Sequence, residues 1–567
     1  MRNKFLFFFL LILGVQFSVE AIVINVKRQI GPANQALFEA IKQAASYNGK
    51  PVTIYFDPGI YSFDRSLSIQ RKYYISNTTS EKEDPDPTKH IAVLLDSLKN
   101  ITIDGCGSTW LMTGEMTSFV LDHCENIVLK NINIDYSFPT QTEIEILEDG
   151  IDYLLVKVHP SSKYKIENGE LLWYGDGWSF SKGITQWYDR IRNITWHAWN
   201  PMNMLKKVIE IRPNILYLQL DGKKENVKRG MILHMRDGIR DEVGGFINQS
   251  KNVRLENMNF YYLGNFGIVC QYSNNIDINH SKFMPKFGSG RTNAGFADFL
   301  QVSGCKGKIY IRNSIFSGSQ DDPINIHGTH LKVVEYVDDR TLKVRFMHHQ
   351  TYGFKAFFEN DEIELVNAET LLPLLNAKVV NAELINPREM LLRLNKSVAS
   401  IVRNNTQIVI ENVTWTPEVL IQNNTFSCTP SRGILLSTRK LSVIENNTFY
   451  GTSKSAILIA DDANSWYESG PVHQVIIRYN KFLQCNGPVI KIAPEYKCYQ
   501  GPIHKNIKIE SNIFESNKPD VLAVKACGVD NLLIYNNFIY MRRRKDFWDI
   551  QDCSHVSIEK NDSIFVN

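Results

Sequence analysis

The chain has 567 residues, 43% hydrophobic and 22% charged, a composition typical of globular proteins and not of disordered chains. It is too long for one ordinary core, so several domains or a long repeat architecture are expected. Lys and Arg exceed Asp and Glu by three, a net charge of +3, so the charge balance predicts neither a nucleic-acid partner nor an anionic membrane partner.

The first 21 residues have the pattern of a secretory signal peptide. Arg2 and Lys4 precede a short apolar run at 5–15, and the segment VEA at 19–21 fits the small-residue cleavage rule. The alternative is an uncleaved anchor helix, for which the run is short. We therefore expect export to the periplasm or the medium, cleavage after about residue 21, and no membrane insertion of the mature chain.

The next segment predicts a helix followed by strands. Residues 33–46 place Leu37, Ala40, Ile41 and Ala44 at helical spacing, and VTIYFDPGIYSF then has the pattern of strand, turn and strand. An amphipathic helix here would cover the open edge of the first strands.

One short element then recurs along the chain. An N-x-apolar-x-apolar run leads into Asn-Xaa-Xaa-Phe or Ile, as in KNVRLENMNF, EVLIQNNTF and LSVIENNTF, and a second strand often follows, as in FGIVC, DFLQV, DPINI and RGILL. Strands of period 2 joined by Asn and Gly turns cannot bury their inner face alone, but stacked coils form a continuous core. The sequence therefore predicts an all-β fold, a right-handed parallel β-helix. The recurring Asn predicts turn ladders, so Asn423 and Asn446 are ladder positions first and glycan acceptors second.

The repeat vanishes twice, at 138–245 and 329–413, where alternating strands with charges replace it. We predict that both are inserted antiparallel β modules, small barrels, because unstructured loops of that size are uncommon. The predicted organisation is then signal peptide 1–21, cap and first coils 22–137, first module 138–245, catalytic coils 246–328, second module 329–413 and C-terminal coils 414–567. Nine scattered cysteines form no CxxC pair or His/Cys cluster, so no disulfide framework, metal or cofactor is predicted.

Three aspartates coincide when the second strands are aligned by their apolar positions. In this register Leu300 and Ile324 match, and Asp298 lies one coil below Asp322, with Asp321 beside it. Coils in a parallel sheet are ~4.8 Å apart, so the three carboxylates converge and at least one pKa should rise. A protonated acid beside ionised carboxylates suits glycoside hydrolysis. The alternatives are a Ca²⁺ site or a structural Asp ladder.

The arrangement is similar to that of inverting β-helix polygalacturonases, which carry one Asp on a coil and an Asp-Asp pair on the next. More closely, the chain resembles the α-1,3-galactosidases of glycoside hydrolase family 110, through NAGFADFLQVSGC at 293–305, GSQDDPINIHGTH at 318–330, SRGILLSTR at 431–439 and the two insertions. The resemblance implies metal-independent, inverting removal of terminal α-1,3-linked galactose, as on blood-group-B-type glycans. It makes Asp298, Asp321 and Asp322 the catalytic set, with Asp321 as the acid and the other two holding the water.

Several other residues have a functional and a structural interpretation. Arg432 occupies the slot of Asp322 in the next repeat, where it would bind sugar hydroxyls or hold the carboxylates ionised, unless it is a solvated turn residue. His327 and His330 would bond substrate or pack under the second module. The first module is rich in aromatics, and we take three of them as candidates for sugar stacking, although module core is the alternative for each: Trp173, Trp178 and Trp187. The charge run at 236–242 is interpreted as a solvated loop.

We therefore expect an exo-acting glycosidase whose partner is a glycan on an oligosaccharide, glycoprotein or glycolipid. Two other classes remain open: a β-helix polysaccharide lyase or polygalacturonase-like hydrolase, and a carbohydrate-binding adhesin. A lyase would need Ca²⁺ or a Lys/Arg base and an anionic substrate groove, and an adhesin would not require three carboxylates. The sequence leaves the oligomeric state open, with a homodimer as one option.

Overall fold

The structure, a computed structural model, describes residues 22–197, 199–222, 227–404, 407–542 and 546–566. The signal peptide predicted at 1–21 lies outside these ranges. Parallel strands stack coil upon coil through most of the chain, and two antiparallel modules interrupt them, which confirms the predicted fold class. Within these ranges no helix is long and apolar enough to cross a bilayer.

The larger face of the β-helix is a 23-stranded sheet in which neighbouring coils pair in parallel. Its strands are Ile22–Val26, Val52–Phe56, Ile60–Asp64, Lys99–Thr113, Glu125–Tyr136, Lys251–Glu256, Asn259–Phe260, Asn274–Asn279, Lys282–Phe283, Lys306–Arg312, Ile315–Ser317, Pro417–Gln422, Thr425–Ser427, Ser442–Glu445, Thr448–Tyr450, Val475–Arg478, Lys481–Leu483, His504–Glu510, Ile513–Ser516, Val529–Tyr535, Phe538–Arg542, Ser554–Glu559 and Asp562–Val566.

The opposite face is a 13-stranded sheet, which carries the strands that follow the aspartates. Its members are Ile69–Lys72, Thr88–Asp96, Thr117–Asp122, Gly245–Asn248, Ile268–Gln271, Leu300–Ser303, Ile324–Thr329, Ile434–Leu436, Ile457–Ile459, Ile490–Ile492, Val524–Cys527, Trp548–Gln551 and the short Glu468–Ser469, which pairs antiparallel with Ile324–Thr329.

Two side-chain ladders run through the interior and explain the recurring Asn and Phe. Rings of successive coils stack with centroids 4.6 to 5.1 Å apart, in the order Phe260, Phe283, Phe316, Phe426, Phe449, Phe482 and Phe514. Side-chain amides bond from coil to coil at 2.9 to 3.0 Å, in the order Asn424, Asn447, Asn480, Asn512, Asn537 and Asn561, and all but the last are buried. Asn423 and Asn446 precede ladder members and take the left-handed backbone of the turn, with φ of 57° and 56°.

A helix at Asn34–Ala45 packs on the first coil and buries Leu37, Ala40 and Ala44, as their spacing predicts. It lies against Ile22–Val26 and Val52–Phe56, so it covers the end of the stack. Two short 3₁₀ turns occur at Arg65–Leu67 and Pro201–Met204, and a second helix at Ala399–Asn404.

The first module lies between Tyr136 and Gly245. Its seven-stranded antiparallel sheet contains, in chain order, Thr142–Asp149, Tyr153–Val158, Ile184–Asp189, Ile194–His197, Leu205–Arg212, Ile215–Leu220 and Ile232–Arg236, and three further strands, Tyr164–Glu167, Glu170–Gly175 and Trp178–Phe180, form a small sheet beside it.

The second module closes as a six-stranded antiparallel barrel. Its strands are Leu331–Asp338, Thr341–Arg345, Glu362–Asn367, Pro373–Asn386, Glu389–Leu394 and Ile408–Asn412. It leaves the β-helix directly after Ile324–Thr329, so it stands next to the coil that carries the paired aspartates.

Candidate active site

The candidate site forms where two coils of the smaller sheet stack. Strands Leu300–Ser303 and Ile324–Thr329 pair in parallel with Leu300 opposite Ile324, which is the predicted register. The residues just before these strands are therefore neighbours, one coil spacing of ~4.8 Å apart along the axis.

Three carboxylates lie on these neighbouring segments. Asp298, Asp321 and Asp322 line one cavity, and the backbone N–H of Phe299 donates to the carbonyl oxygen of Asp322 at 3.3 Å. The coil below must have a glycine at this height, because a Cβ on Gly267 would lie 2.2 Å from the carbonyl oxygen of Asp298. Close contact between the coils thus restricts the backbone position of Asp298.

Arg432 holds Asp322 from the next coil. Its Nε and Nη2 donate to Asp322 Oδ2 at 2.8 and 2.5 Å, and its backbone N–H donates to Oδ1 at 2.9 Å. The Asp322 side chain is only 1% exposed, so this bidentate pair is largely shielded from water. Arg432 is therefore a carboxylate partner that also lines the cavity, and not a solvated turn residue.

A second arginine approaches Asp321. Arg240 Nη2 lies 3.4 Å from Asp321 Oδ2, and the guanidinium carbon lies 4.8 Å from the ring centroid of Phe266. Asp321 keeps 30% of its side chain exposed, far more than Asp322. Of the adjacent carboxylates Asp321 and Asp322, Asp321 is therefore the one that a bound molecule can reach more easily.

The three carboxyl groups differ in pKa. Burial raises the pKa of Asp298 well above its usual range, and the charges of Asp321 and Asp322 raise it further. Burial also raises the pKa of Asp322, against the opposing charge of Arg432. Burial also tends to raise the pKa of Asp321, but the positive charges of Arg240 and Arg432 outweigh this effect and hold the pKa below its usual value. The protonated form is therefore favoured at Asp298 and the ionised form at Asp321.

The cavity around these groups has a volume of about 140 Å³ and is enclosed by several parts of the fold. The coils supply the aspartates, Asn325 and Arg432, the end of the first module supplies Arg240, and an N-terminal segment supplies Asn77. The coils also contribute Leu435, Ser437, Leu458 and Glu495. The connection at 460–470 contributes Ala460, Asp462, Trp466 and Glu468. The open lateral groove of a β-helix is in this way reduced to a small polar pocket.

Comparison with known proteins finds matches to both modules and to the coils. The family model described as GLAA-B beta-barrel domain I matches residues 142–233, GLAA-B beta-barrel domain II matches 341–405, and a right-handed beta helix region matches 384–539.

Whole-length relatives agree. The chain is 57% identical over 544 residues to Alpha-1,3-galactosidase A of Bacteroides thetaiotaomicron, which covers 95% of this chain and 96% of the relative. It is 34% identical to Alpha-1,3-galactosidase A of Akkermansia muciniphila, over 88% of this chain and 83% of the relative. This chain belongs to the α-1,3-galactosidase family. Among solved structures, the Streptococcus pneumoniae adhesin PfbA matches with a TM-score of 0.41 and 13% identity, over 96% of this chain and 100% of the adhesin.

In this α-1,3-galactosidase family member, the tryptophan candidates lie elsewhere than predicted. Trp173, Trp178 and Trp187 are 0%, 7% and 2% exposed and belong to the core of the first module, packed among its own strands. None of them lines the cavity. The stacking role was therefore wrong for all three, because aromatic density does not distinguish a module core from a sugar platform.

His327 and His330 also lie outside the cavity wall. Each contacts a carboxylate of the connection at 460–470. His327 Nε2 is 3.5 Å from Glu468 Oε1, and His330 Nε2 is 3.1 Å from Asp461 Oδ1. Both side chains are almost fully buried. Their prediction as direct substrate ligands is therefore corrected to the support of the connection at 460–470.

The charge run at 236–242 is not a solvated loop. Arg236 is 5% exposed and lies over the ring of Phe296, and Glu242 accepts the backbone N–H of His90 and the hydroxyl of Thr117. Folding the run against the coils is what brings Arg240 to Asp321. The mixture of Arg with alternating Asp and Glu was the available signal, since charges that neutralise one another can be buried together.

Sequence reasoning missed the connection at 460–470 altogether. Its signal was weak: the segment ADDANSWYESG interrupts the coil repeat with two aspartates and a tryptophan. Nothing in the repeat indicates that Trp466 and Glu468 turn back toward Asp322, because that path depends on contacts with the second module.

Proposed function

We propose that this chain is an exo-acting glycoside hydrolase that removes terminal α-1,3-linked galactose with inversion at the anomeric carbon. The observation that carries the proposal is the meeting of Asp298, Asp321 and Asp322 with Arg432 in one enclosed cavity. Membership of the α-1,3-galactosidase family supports the choice of galactose and of the linkage. The range would include branched blood-group-B-type glycans and the linear Gal-α-1,3-Gal disaccharide.

In the proposed mechanism Asp321 gives a proton to the leaving oxygen while Asp298 and Asp322 hold and activate a water on the other side of the sugar ring. Solvent exposure supports this role for Asp321, since its side chain is more exposed than that of Asp322, which is paired with Arg432. The water replaces the leaving group directly, so no covalent sugar–enzyme bond is formed.

The raised pKa of Asp298 and the lowered pKa of Asp321 work against this assignment and favour Asp298 as the proton donor. Three strongly interacting carboxyls titrate as one unit, however, so the resting place of the proton does not by itself fix the donor. A glycosidic oxygen that approaches Asp321 would compete with Arg240, whose contact at 3.4 Å is long for a charged hydrogen bond.

An enzyme that removes one terminal sugar requires a binding pocket that is closed beyond that sugar. The cavity of about 140 Å³ is closed by the first-module end at Arg240 and by the connection at 460–470. A polygalacturonase-like endo-hydrolase or a lyase would need a groove open at both ends, so the enclosure supports exo action. The signal-peptide pattern at 1–21 adds the proposal that the enzyme acts after export, on glycans in the periplasm or outside the cell.

The proposal predicts a specific product pattern. Purified protein should release galactose, and no larger fragment, from blood-group-B trisaccharide and from Gal-α-1,3-Gal, and should leave polygalacturonate intact. Chromatography of the products with an Asp321→Asn control checks this. Unsaturated or oligomeric products from polygalacturonate would instead support a lyase or an endo-hydrolase, and no product from any of the three would support the adhesin.

A further inference from the structure

In the described part of the chain, one aromatic side chain on the cavity wall has an exposed face. Trp466 is 43% exposed although it lines the cavity, whereas the tryptophans of the first-module core are nearly buried. Its other face is covered, because the ring of His348 from the second module stacks on it with centroids 4.4 Å apart and planes 28° from parallel. An indole covered on one face and open on the other is prepared for a flat, partly apolar partner.

His348 is suited to this covering role. Burial lowers its pKa to about 4, with the charges of nearby Arg240 and Arg388 acting in the same direction, so the ring is neutral at neutral pH. The negative charge of Asp462 opposes this effect and raises the pKa. Arg388 donates to the backbone carbonyl of His348 at 2.8 Å and ties it to the barrel. The backing of Trp466 is therefore fixed by the second module.

The connection at 460–470 is anchored at several points along its length. His330 Nε2 contacts Asp461 Oδ1 at 3.1 Å, and the His330 N–H donates to the carbonyl of Tyr467 at 2.9 Å. The Asp462 carboxylate accepts the N–H of Trp466 at 2.5 Å, and Asn464 Nδ2 donates to a barrel carbonyl, that of Ala368, at 2.6 Å. These contacts fix the indole position before any ligand arrives.

A polar acceptor stands two residues further along the same connection. Glu468 Oε1 accepts from Asn77 Nδ2 at 2.7 Å and from Asn325 Nδ2 at 3.4 Å. Both contacts use Oε1, and in the described part of the chain Oε2 has no hydrogen-bond partner. Asn325 is 5% exposed, and its Oδ1 likewise has no partner within the described ranges. Asn325 Oδ1 is buried, and together with Glu468 Oε2 on the same wall it can accept from a ligand with several hydroxyl donors.

We infer that Trp466 is the stacking surface for the terminal galactose ring and that Glu468 and Asn325 accept its hydroxyl hydrogens. Galactose suits this pair, since its axial 4-hydroxyl leaves one ring face with a run of C–H groups and keeps the hydroxyls toward the other side and the edge. The inference rests on the proposed function, and it assigns recognition of the sugar to the connection at 460–470 and the second module.

The test is the affinity for free galactose, measured by calorimetry. Trp466→Ala should raise the Kd roughly tenfold, since an aromatic contact and its buried area are lost. Trp466→Phe should stay within about threefold of wild type, because a ring remains. Phe287→Ala is the matched control: it removes a fully exposed ring that does not line the cavity, and should change nothing. Thermal melting of all three variants checks that they are folded.

A second readout places the ring on galactose and not on the neighbouring sugar. On 4-nitrophenyl α-galactoside, whose only sugar is galactose, Trp466→Ala should raise KM by the same factor as on Gal-α-1,3-Gal. A rise on the disaccharide alone would overturn the inference, and so would an unchanged Kd for galactose. Wild-type activity separates the two proposals. If the wild-type chain hydrolyses the disaccharide and Trp466→Ala has the same KM and Kd, only this inference is contradicted. If the wild-type chain has no activity, the proposed function is contradicted.

Discussion

Replacement of Asp321 by Asn is expected to lower kcat on Gal-α-1,3-Gal by ~10²–10⁴, the usual contribution of a general acid. Asn has the size of Asp and cannot deliver a proton, so folding should be preserved. Asp237→Asn is a matched control, because Asp237 is a half-buried aspartate outside the cavity whose Oδ1 accepts the N–H of Ile239, a bond that Asn can also make. It should keep more than about a tenth of wild-type activity.

A change of leaving group separates the acid from the base. A nitrophenolate leaves without protonation, so Asp321→Asn should lose far less on 4-nitrophenyl α-galactoside than on the disaccharide. Asp298→Asn should lose similar factors on both, because water activation is needed in either case. If Asp298→Asn is the variant rescued by the good leaving group, Asp298, whose pKa is raised by burial, is the true donor, and the roles of Asp298 and Asp321 exchange.

Arg432→Met should be the most damaging change among the cavity arginines. It leaves Asp322, 1% exposed, without its bidentate partner, and breaking such a buried pair costs about 3–5 kcal/mol of unfolding free energy. The pKa of Asp322 then rises further. A carboxyl whose folded-state pKa exceeds its unfolded value stabilises the protein only at low pH, so the lost stability should be small near pH 4 and grow as pH rises through the folded pKa.

Activity should respond to the same change in a separate way. Water activation needs ionised Asp322, so the acidic limb of the kcat/KM profile of Arg432→Met should move to higher pH, with a loss of roughly 10²-fold near pH 6. The double variant Arg432→Met with Asp322→Asn removes both charges and should recover much of the stability but none of the activity. A single variant with wild-type melting and an unmoved acidic limb would contradict the assigned role of the ion pair.

The sequence allowed the fold and the aspartate positions to be predicted because a β-helix converts sequence spacing into spatial position. Strand residues alternate inward and outward, and parallel stacking places equivalent positions of successive coils above one another. Matching Leu300 with Ile324 was therefore enough to place Asp298 beside Asp322, and the same register reached Arg432.

The rest of the site could not be predicted, because it lies in segments whose paths are set by contacts between separate parts of the chain. Arg240 reaches Asp321 only because the run at 236–242 folds against the coils, and Trp466 faces the cavity only because His348 and Ala368 of the second module hold its connection. Neither segment belongs to the coil repeat, so its position cannot be predicted from the register of neighbouring coils. For Trp173, the misleading signal was the aromatic composition itself, which the module core explains in full.

The most direct test of the account follows the first product by proton NMR. Wild-type protein is mixed with Gal-α-1,3-Gal, and the anomeric signals of released galactose are recorded before mutarotation, with Asp321→Asn as the inactive control. Three carboxylates around a directly attacking water predict β-galactose first, with α-galactose growing in only as mutarotation proceeds. Initial α-galactose would contradict the account, since it requires a nucleophile ~5–5.5 Å from the acid and a covalent intermediate.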